Sequence, residues 1–555
     1  MSWLSFSLMF FVVQAPGSQQ PRASLHGYVL KIGTGEPVSK AVVTLIRTDS
    51  QRRAYTTITG SDGKFAFDDV DPAQYRLDAS HTGYVRSEHG ARYPNRSGSP
   101  ITLAAGQRMA DVVVQIMPAG TIAGRVFDRD GETLPNVNVQ ALQYSYRDGD
   151  RVLNVVQAAR TNDLGEYRLF WLQPGQYFVS ATYSGGTAGE LALAGRGIAT
   201  PAETVGPEEG YIPVYYPGTI DVQSAAPINL PAGAVFSGVD LTVAAVRTVR
   251  IRGRVISGAT GQPAWNANVS LQPRGRGDIG PRLLQGLRDA EVNDDGAFEI
   301  RGVPPGSYEL VGVMNDGNNR MSGLVSLEVG NSDIQNVILV ISPGFSIVGR
   351  VSFEDQSAGS SVARAAPMRV TLRRIGGQLR VGVGQFTSPV QPDGAFTFQQ
   401  TGAGDYRVNV TGLPRNAYIK FARLGAADVL NQGLHVERQP NELLEIMIGT
   451  DSGRIDGAVT TEKQEPAVNV TVVLVPDPAH RNRFELYRTA STDSLGRFSM
   501  DGIPPGVYKL FASYDVESGA WQDPDFLRQY EERGRVIHIG PRASVAPEIK
   551  VIYVN

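Results

Sequence analysis

The chain has 555 residues, 52 Lys plus Arg against 55 Asp plus Glu, and a formal charge of −3. That length calls for several domains, and a near-neutral balance gives nucleic acid no electrostatic hold. Apolar residues at 41% and charged residues at 19% fit globular folding, and the absence of cysteine excludes disulfides, thiolate metal sites and a cysteine nucleophile. Glycine (62) and proline (34) exceed their usual share, which calls for many turns and hence many short strands.

The first element is an uncharged apolar run, Trp3 to Val13, followed by the small-residue pattern Val13-Gln14-Ala15. It is too short to span a bilayer and suits the core of a secretory signal over residues 1–18. A buried first strand or a misplaced start codon is the other reading. No later stretch reaches 18 apolar residues, so no membrane span is expected.

From there a unit repeats five times. Each copy opens on Gly-x-Val: Gly27, Gly124, Gly253, Gly349 and Gly457, spaced 97, 129, 96 and 108 residues apart. Spacings that long mean whole domains rather than solenoid turns. A turn glycine follows at Gly63, Gly165, Gly296, Gly394 and Gly496. Two residues on stands an aromatic (Phe65, Tyr167, Phe298, Phe396, Phe498), and two further Phe67, Leu169, Ile300, Phe398 and Met500. Apolar residues two apart are strand periodicity. Asp-Gly at these turns reads as a hairpin. Twelve residues after each glycine comes a tyrosine: Tyr75, Tyr177, Tyr308, Tyr406 and Tyr508. A Pro-Gly turn precedes it in three copies. Such a tyrosine can bury its ring and return its hydroxyl to nearby backbone, a folding role.

Six or seven short strands per hundred residues make an all-β chain of five Greek-key β-sandwich domains. They are expected at 19–118, 119–247, 248–343, 344–450 and 451–555, with short joints and a semi-rigid rod as the result. The second carries an insertion over 184–219 that ends in a Tyr-rich loop with Tyr215 and Tyr216, and the first has a shorter echo at Arg92-Tyr93-Pro94. One short helix is expected, in the last domain. Asp523 is a good N-cap, Pro524 suits the first helical position, and the helix should run to about Arg533. Ahead of it Trp521 stands among Asp515, Glu517, Asp523 and Asp525. Those residues, with Tyr215 and Tyr216, are the candidate ligand-binding set, since an aromatic beside carboxylates suits a sugar or a cationic group. The alternative is that Trp521 pins the helix to the sheet.

Catalytic and metal patterns are weak. None of the six histidines begins a His-x-x-Glu pair, and no Gly-x-Ser-x-Gly elbow occurs. Gly275 to Gly280 matches a dinucleotide fingerprint by letters and contains Arg276-Gly277-Asp278, but it lies in a Pro- and Arg-rich insertion. Asn293-Asp294-Asp295 has too few oxygen partners for calcium and reads as a solvated turn. No catalytic residue, metal or cofactor is expected.

The run Gly253-Arg254-Val255, Gly261-Gln262-Pro263, Ala267 to Leu271, Asp295-Gly296-Ala297-Phe298 and Pro304-Pro305-Gly306-Ser307-Tyr308 resembles the carboxypeptidase regulatory-like domain. The resemblance covers nearly all of 25–555. It implies an Ig-like or transthyretin-like sandwich, related to starch-binding-like folds and adhesin B repeats. Tandem arrays behind a signal look like exported bacterial proteins, acidobacterial in type. The expected role is non-catalytic, a binding or spacer protein of the periplasm, cell surface or medium, with an envelope or extracellular protein as partner. The alternatives are a carbohydrate-binding protein, with Trp171, Trp265 and Trp521 stacking on a glycan, and an accessory module of an enzyme system.

Overall fold

Strands with apolar side chains two apart can bury one face only by stacking on a second sheet, and each repeat does so. The computed structural model describes residues 21–49, 53–91, 98–147, 149–183, 209–243, 245–273, 288–316, 319–355, 368–375, 385–414, 416–514 and 516–553. The signal segment, the Arg92-Tyr93-Pro94 loop, most of the 184–219 insertion, the Gly275–Gly280 run and Asp515 lie outside these residues.

In the first repeat the Gly-x-Val strand Ala23–Lys31 lies between Lys64–Val70, antiparallel, and Arg108–Pro118, parallel. The facing sheet orders Ala54–Ile58, Val42–Arg47 and Ala73–Ser80. The plan recurs at Val249–Ser257, Phe345–Phe353 and Gly453–Thr460, each paired in parallel with the strand that closes its repeat. The core sits between the sheets. In the first repeat it holds Leu25, Val29, Leu45, Phe65, Tyr75 and Ile116. The third, fourth and fifth repeats have equivalent clusters.

Backbone geometry explains both recurring glycines. A Cβ on Gly27, Gly124, Gly253 or Gly457 would stand 1.9–2.6 Å from a carbonyl oxygen of the closing strand, and on Gly349 it would strike the Phe396 ring at 2.1 Å. The turn glycines all take a left-handed φ, between 69° and 85°. The carbonyl of each accepts the N–H of the Gly-x-Val valine, at 2.8–2.9 Å in all five repeats. That bond corrects the hairpin expectation. In four repeats the strands on either side of the turn belong to different sheets, as Ala54–Ile58 and Lys64–Val70 do; in the third, Arg288–Ala290 and Ala297–Val303 stand at opposite ends of one seven-stranded sheet. The Asp-Gly turn is a corner between sheets, because its glycine bonds to a third strand instead of closing a ladder.

Six residues after the turn glycine a bulge interrupts the pairing. Its left-handed residue is Gly302, Gln400 or Gly502 in the third, fourth and fifth repeats, and Trp171 takes the same φ, near 60°, at the matching position of the second. Among the described residues there are two short α-helices, where one was expected. Pro524–Arg528 follows Asp523 as foreseen, but it ends by Gln529 and a 3-10 turn, Glu531–Arg533, takes over. Val429–Gln432 in the fourth repeat was not foreseen. It is capped by Asp428, which accepts from Leu430 and Asn431. No helix among the described residues is long and apolar enough to cross a membrane.

The chain divides into two compact bodies. One is built on residues up to Thr121, with Trp171–Pro174 and Pro231–Ala234, and the other holds the rest.

Candidate functional site

The fifth repeat carries apolar residues on both faces of one sheet. Strands Thr471–Pro476 and Gly506–Ser513 turn Val472, Leu474, Tyr508 and Leu510 into the sandwich, and Val473, Val475 and Phe511 outward. An exposed aliphatic and aromatic face of that size must be covered. The segment 516–530 covers it. Trp521 stacks on Phe511 at 4.7 Å and 28°, and meets Phe526 edge-on at 5.2 Å and Tyr530 at 5.9 Å. Gly534 lets the chain return, since a Cβ there would lie 2.5 Å from the Phe511 ring.

Trp521 is therefore 3% exposed. Its faces and edges are taken by neighbouring rings, and a sugar would reach it only if this layer opened. Among the described residues the carboxylates around it do not converge. Asp523 caps the helix by accepting the Asp525 N–H at 2.8 Å, Asp525 pairs with Arg528 at 2.9 Å, and Glu517 is exposed. Tyr215 is buried in a similar outer layer of the second repeat, with Leu142, Leu153, Phe178 and Val222. Tyr216 is half-buried, and its N–H bonds to the Val179 carbonyl. The described end of the insertion pairs with its own sheet through Val214–Tyr215 and with the linker strand Ala245–Arg247 through Glu209–Tyr211.

Four of the five repeated tyrosines make the same hydrogen bond. Tyr75, Tyr308, Tyr406 and Tyr508 each donate their hydroxyl to the carbonyl four residues back, at 2.6–3.0 Å. Tyr177 is buried at the same place. Burial pushes the phenols of Tyr75 and Tyr508 up to about 12.

A contact that sequence reasoning missed joins distant repeats. The hairpin of Asn138–Arg147 and Asp150–Arg160 in the second repeat reaches the aromatic layer of the fifth. The Tyr146 ring lies 6.2 Å from that of Phe526, and Tyr146 packs on the Trp521 cluster. Gly149 and Gly519 permit the approach. A Cβ on the first would stand 2.9 Å from the Gln522 oxygen, and on the second 3.0 Å from that of Tyr146. The loop 477–487 ties in the fourth repeat. Arg407 lies over the Phe484 ring at 4.2 Å, and Asn482 donates to the Asn431 carbonyl at 2.7 Å. Arg481 holds Glu531 through both carboxylate oxygens at 2.8 Å, and Lys509 reaches it at 2.5 Å. Burial pushes the Glu531 carboxyl up, but bonds from Lys509 and Arg481 outweigh it and hold the group below its usual range. The available signal was the pair Phe484 and Tyr487 in a stretch that otherwise reads as loop.

Two tryptophans stand clear of these layers. Trp171, with its left-handed φ, is 58% exposed and Trp265 is 61% exposed.

The carboxypeptidase regulatory-like domain model matches residues 24–116, 121–199 and 250–340. No curated protein matches the chain. Among solved structures it is similar to a streptococcal ancillary pilin, at 12% identity over 58% of this chain and 99% of that one, with a TM-score of 0.23. The major pilin subunit of Bacillus cereus gives 11% identity over 58% and 99%, with a TM-score of 0.15. The minor pilin of Streptococcus agalactiae gives 12% over 40% and 96%, with a TM-score of 0.21. TM-scores this low do not describe a shared whole-chain arrangement.

Proposed function

This chain carries tandem carboxypeptidase regulatory-like domains, and from that premise we propose that it is a non-catalytic, exported scaffold that spaces or presents binding surfaces at the cell envelope. Five domains carry that role, joined near Pro118, Arg247, Pro343 and residue 450. The observation that supports it most is the use made of the added parts. What recurs in every repeat is folding apparatus: close-packed glycines, corner turns and a core-packed tyrosine, fully buried in four repeats and half-buried in the third. What is added to the fifth repeat covers its own sheet and meets the second and fourth repeats. Loops on a sandwich are where a catalytic or binding site would be built, and here these loops fasten repeats together.

Export is the part most directly tested. Residues 1–20 fused ahead of a reporter enzyme that is active only outside the cytoplasm should give activity. A reporter retained in the cytoplasm would overturn the exported reading. Glycan binding is the second reading, favoured by exposed Trp265, whose ring is open to stack on a sugar. Retention of the full chain on a glycan array, lost in Trp265→Ala, would establish it.

A further inference from the structure

The strand that closes a repeat has one edge against the Gly-x-Val strand and one edge facing away. In the fourth repeat that outer edge is filled. Tyr418–Leu424 runs antiparallel along Leu444–Gly449, pairing Phe421 with Met447, Ala422 with Ile446 and Arg423 with Glu445. The last pair is tied across the strands by an ion pair of 2.7 Å. In the first and third repeats shorter stretches, Tyr84–Val85 and Met321–Ser322, fill the end of the same edge.

The fifth repeat has the edge without the strand. Its register aligns Glu548, Ile549 and Lys550 with Glu445, Ile446 and Met447, because Val459 pairs with Ile549 as Val351 does with Ile446. Among the described residues no strand pairs with the outside of Glu548–Lys550; Gly506–Ser513 comes close to it and bridges only past its end, from Ser513 to Ile552. The Pro547 carbonyl and the Val551 N–H bond inward to Ala458 and Thr460. Parallel pairing alternates, so the peptide groups of Glu548 and Lys550 point outward. The Arg535 guanidinium sits on the Glu548 carbonyl at 2.9 Å, where a neighbouring strand's N–H would go. Both charged side chains are exposed, and Ile549 is buried.

We propose that this edge pairs with the same edge of a second copy of the chain. An antiparallel pairing centred on Ile549 sets Glu548 opposite Lys550 of the second copy, and Lys550 opposite its Glu548. Those are the residues whose peptide groups point outward, so each opposed pair can exchange both backbone hydrogen bonds once the Arg535 guanidinium gives up the Glu548 carbonyl to the incoming N–H. Opposite charges face each other twice, as Arg423 and Glu445 do within the fourth repeat. A two-fold axis makes the contact self-complementary and closed. This inference does not depend on export or on the scaffold reading.

Sedimentation velocity on the full chain, from about 1 to about 100 μM, tests it. The expected result is a concentration-dependent dimer. Glu548→Lys and Lys550→Glu each put like charges across both pairs, and each should weaken dimerisation on the order of tenfold. The double variant restores opposite charges and should restore the dimer. A chain that stays monomeric throughout, a dimer indifferent to the single variants, or a double variant no better than the singles would each overturn the proposal.

Discussion

A tyrosine that recurs at one offset in five repeats owes its position to two needs met at once. Its ring packs on the core beside the turn that immediately precedes it, and its hydroxyl satisfies a carbonyl left over by that turn. At Tyr508 the ring is buried and the bond to Pro504 is 2.9 Å. Tyr508→Ala is expected to cost roughly 3–5 kcal/mol, and Tyr508→Phe about 1 kcal/mol. Tyr308→Ala should cost less, because Tyr308 is only half-buried. Native-state hydrogen exchange over Gly506–Ser513 resolves this repeat within the chain. Equal, negligible losses for both Tyr508 variants would show that neither burial nor bond matters. The same residue predicts a pH dependence. Burial raises the folded phenol to about 12, against about 10 when unfolded. The contribution is complete below pH 10 and is lost as pH rises from 10 towards 12, since the unfolded chain ionises first. Tyr508→Phe should remove that alkaline loss. The tyrosine and both glycines were legible in the sequence because each acts locally or against a fixed partner. The role of Trp171 was not, since nothing in a sequence marks a left-handed φ on a tryptophan.

At the level of elements, the strands were legible and the turns between them less so. Period-two patterning sets which residues face the core, but it does not say whether a turn closes a ladder or changes sheets. That choice is made by the valine N–H that reaches the turn glycine from a third strand. Helices follow the same division. Asp523-Pro524 announced the start of one, yet its end came early, as the chain bends at Tyr530 to seat that ring on Trp521. Asp428 announced a helix of only four residues, too short for any periodicity to register. The covering segment of the fifth repeat can be tested as an element. Asp523→Ala removes the cap and should cost about 1 kcal/mol, whereas Trp521→Ala empties the layer on Phe511 and should cost roughly 3–5 kcal/mol. Faster exchange at the Phe511–Ser513 amides is the readout. If Trp521→Ala leaves those amides as protected as before, the tryptophan does not hold the layer to the sheet.

For the body that contains the second to fifth repeats, the decisive contact joins residues 380 positions apart, Tyr146 and Phe526. No local pattern can announce it, because it pairs the tip of one repeat's hairpin with a layer that exists only after another repeat has folded. An independent chain of domains would leave each joint equally open to cleavage, which is what short linkers between similar sandwiches imply. The contact changes that expectation. The joint at 449–453 lies between a fourth and a fifth repeat that also touch through Asn482 and Arg407, with the fifth held from the other side by Tyr146. Cleavage there requires those contacts to open together. An aromatic pair contributes about 0.5–1.5 kcal/mol beyond its buried area, and population of the open form governs proteolysis when opening is fast. Tyr146→Ala and Phe526→Ala should therefore each speed cleavage at 449–453 several-fold in the full chain. The double variant should add little to the faster of the two, because the residues share one contact. Additive effects would mean that each residue stabilises its own repeat and that the rings are neighbours without being coupled.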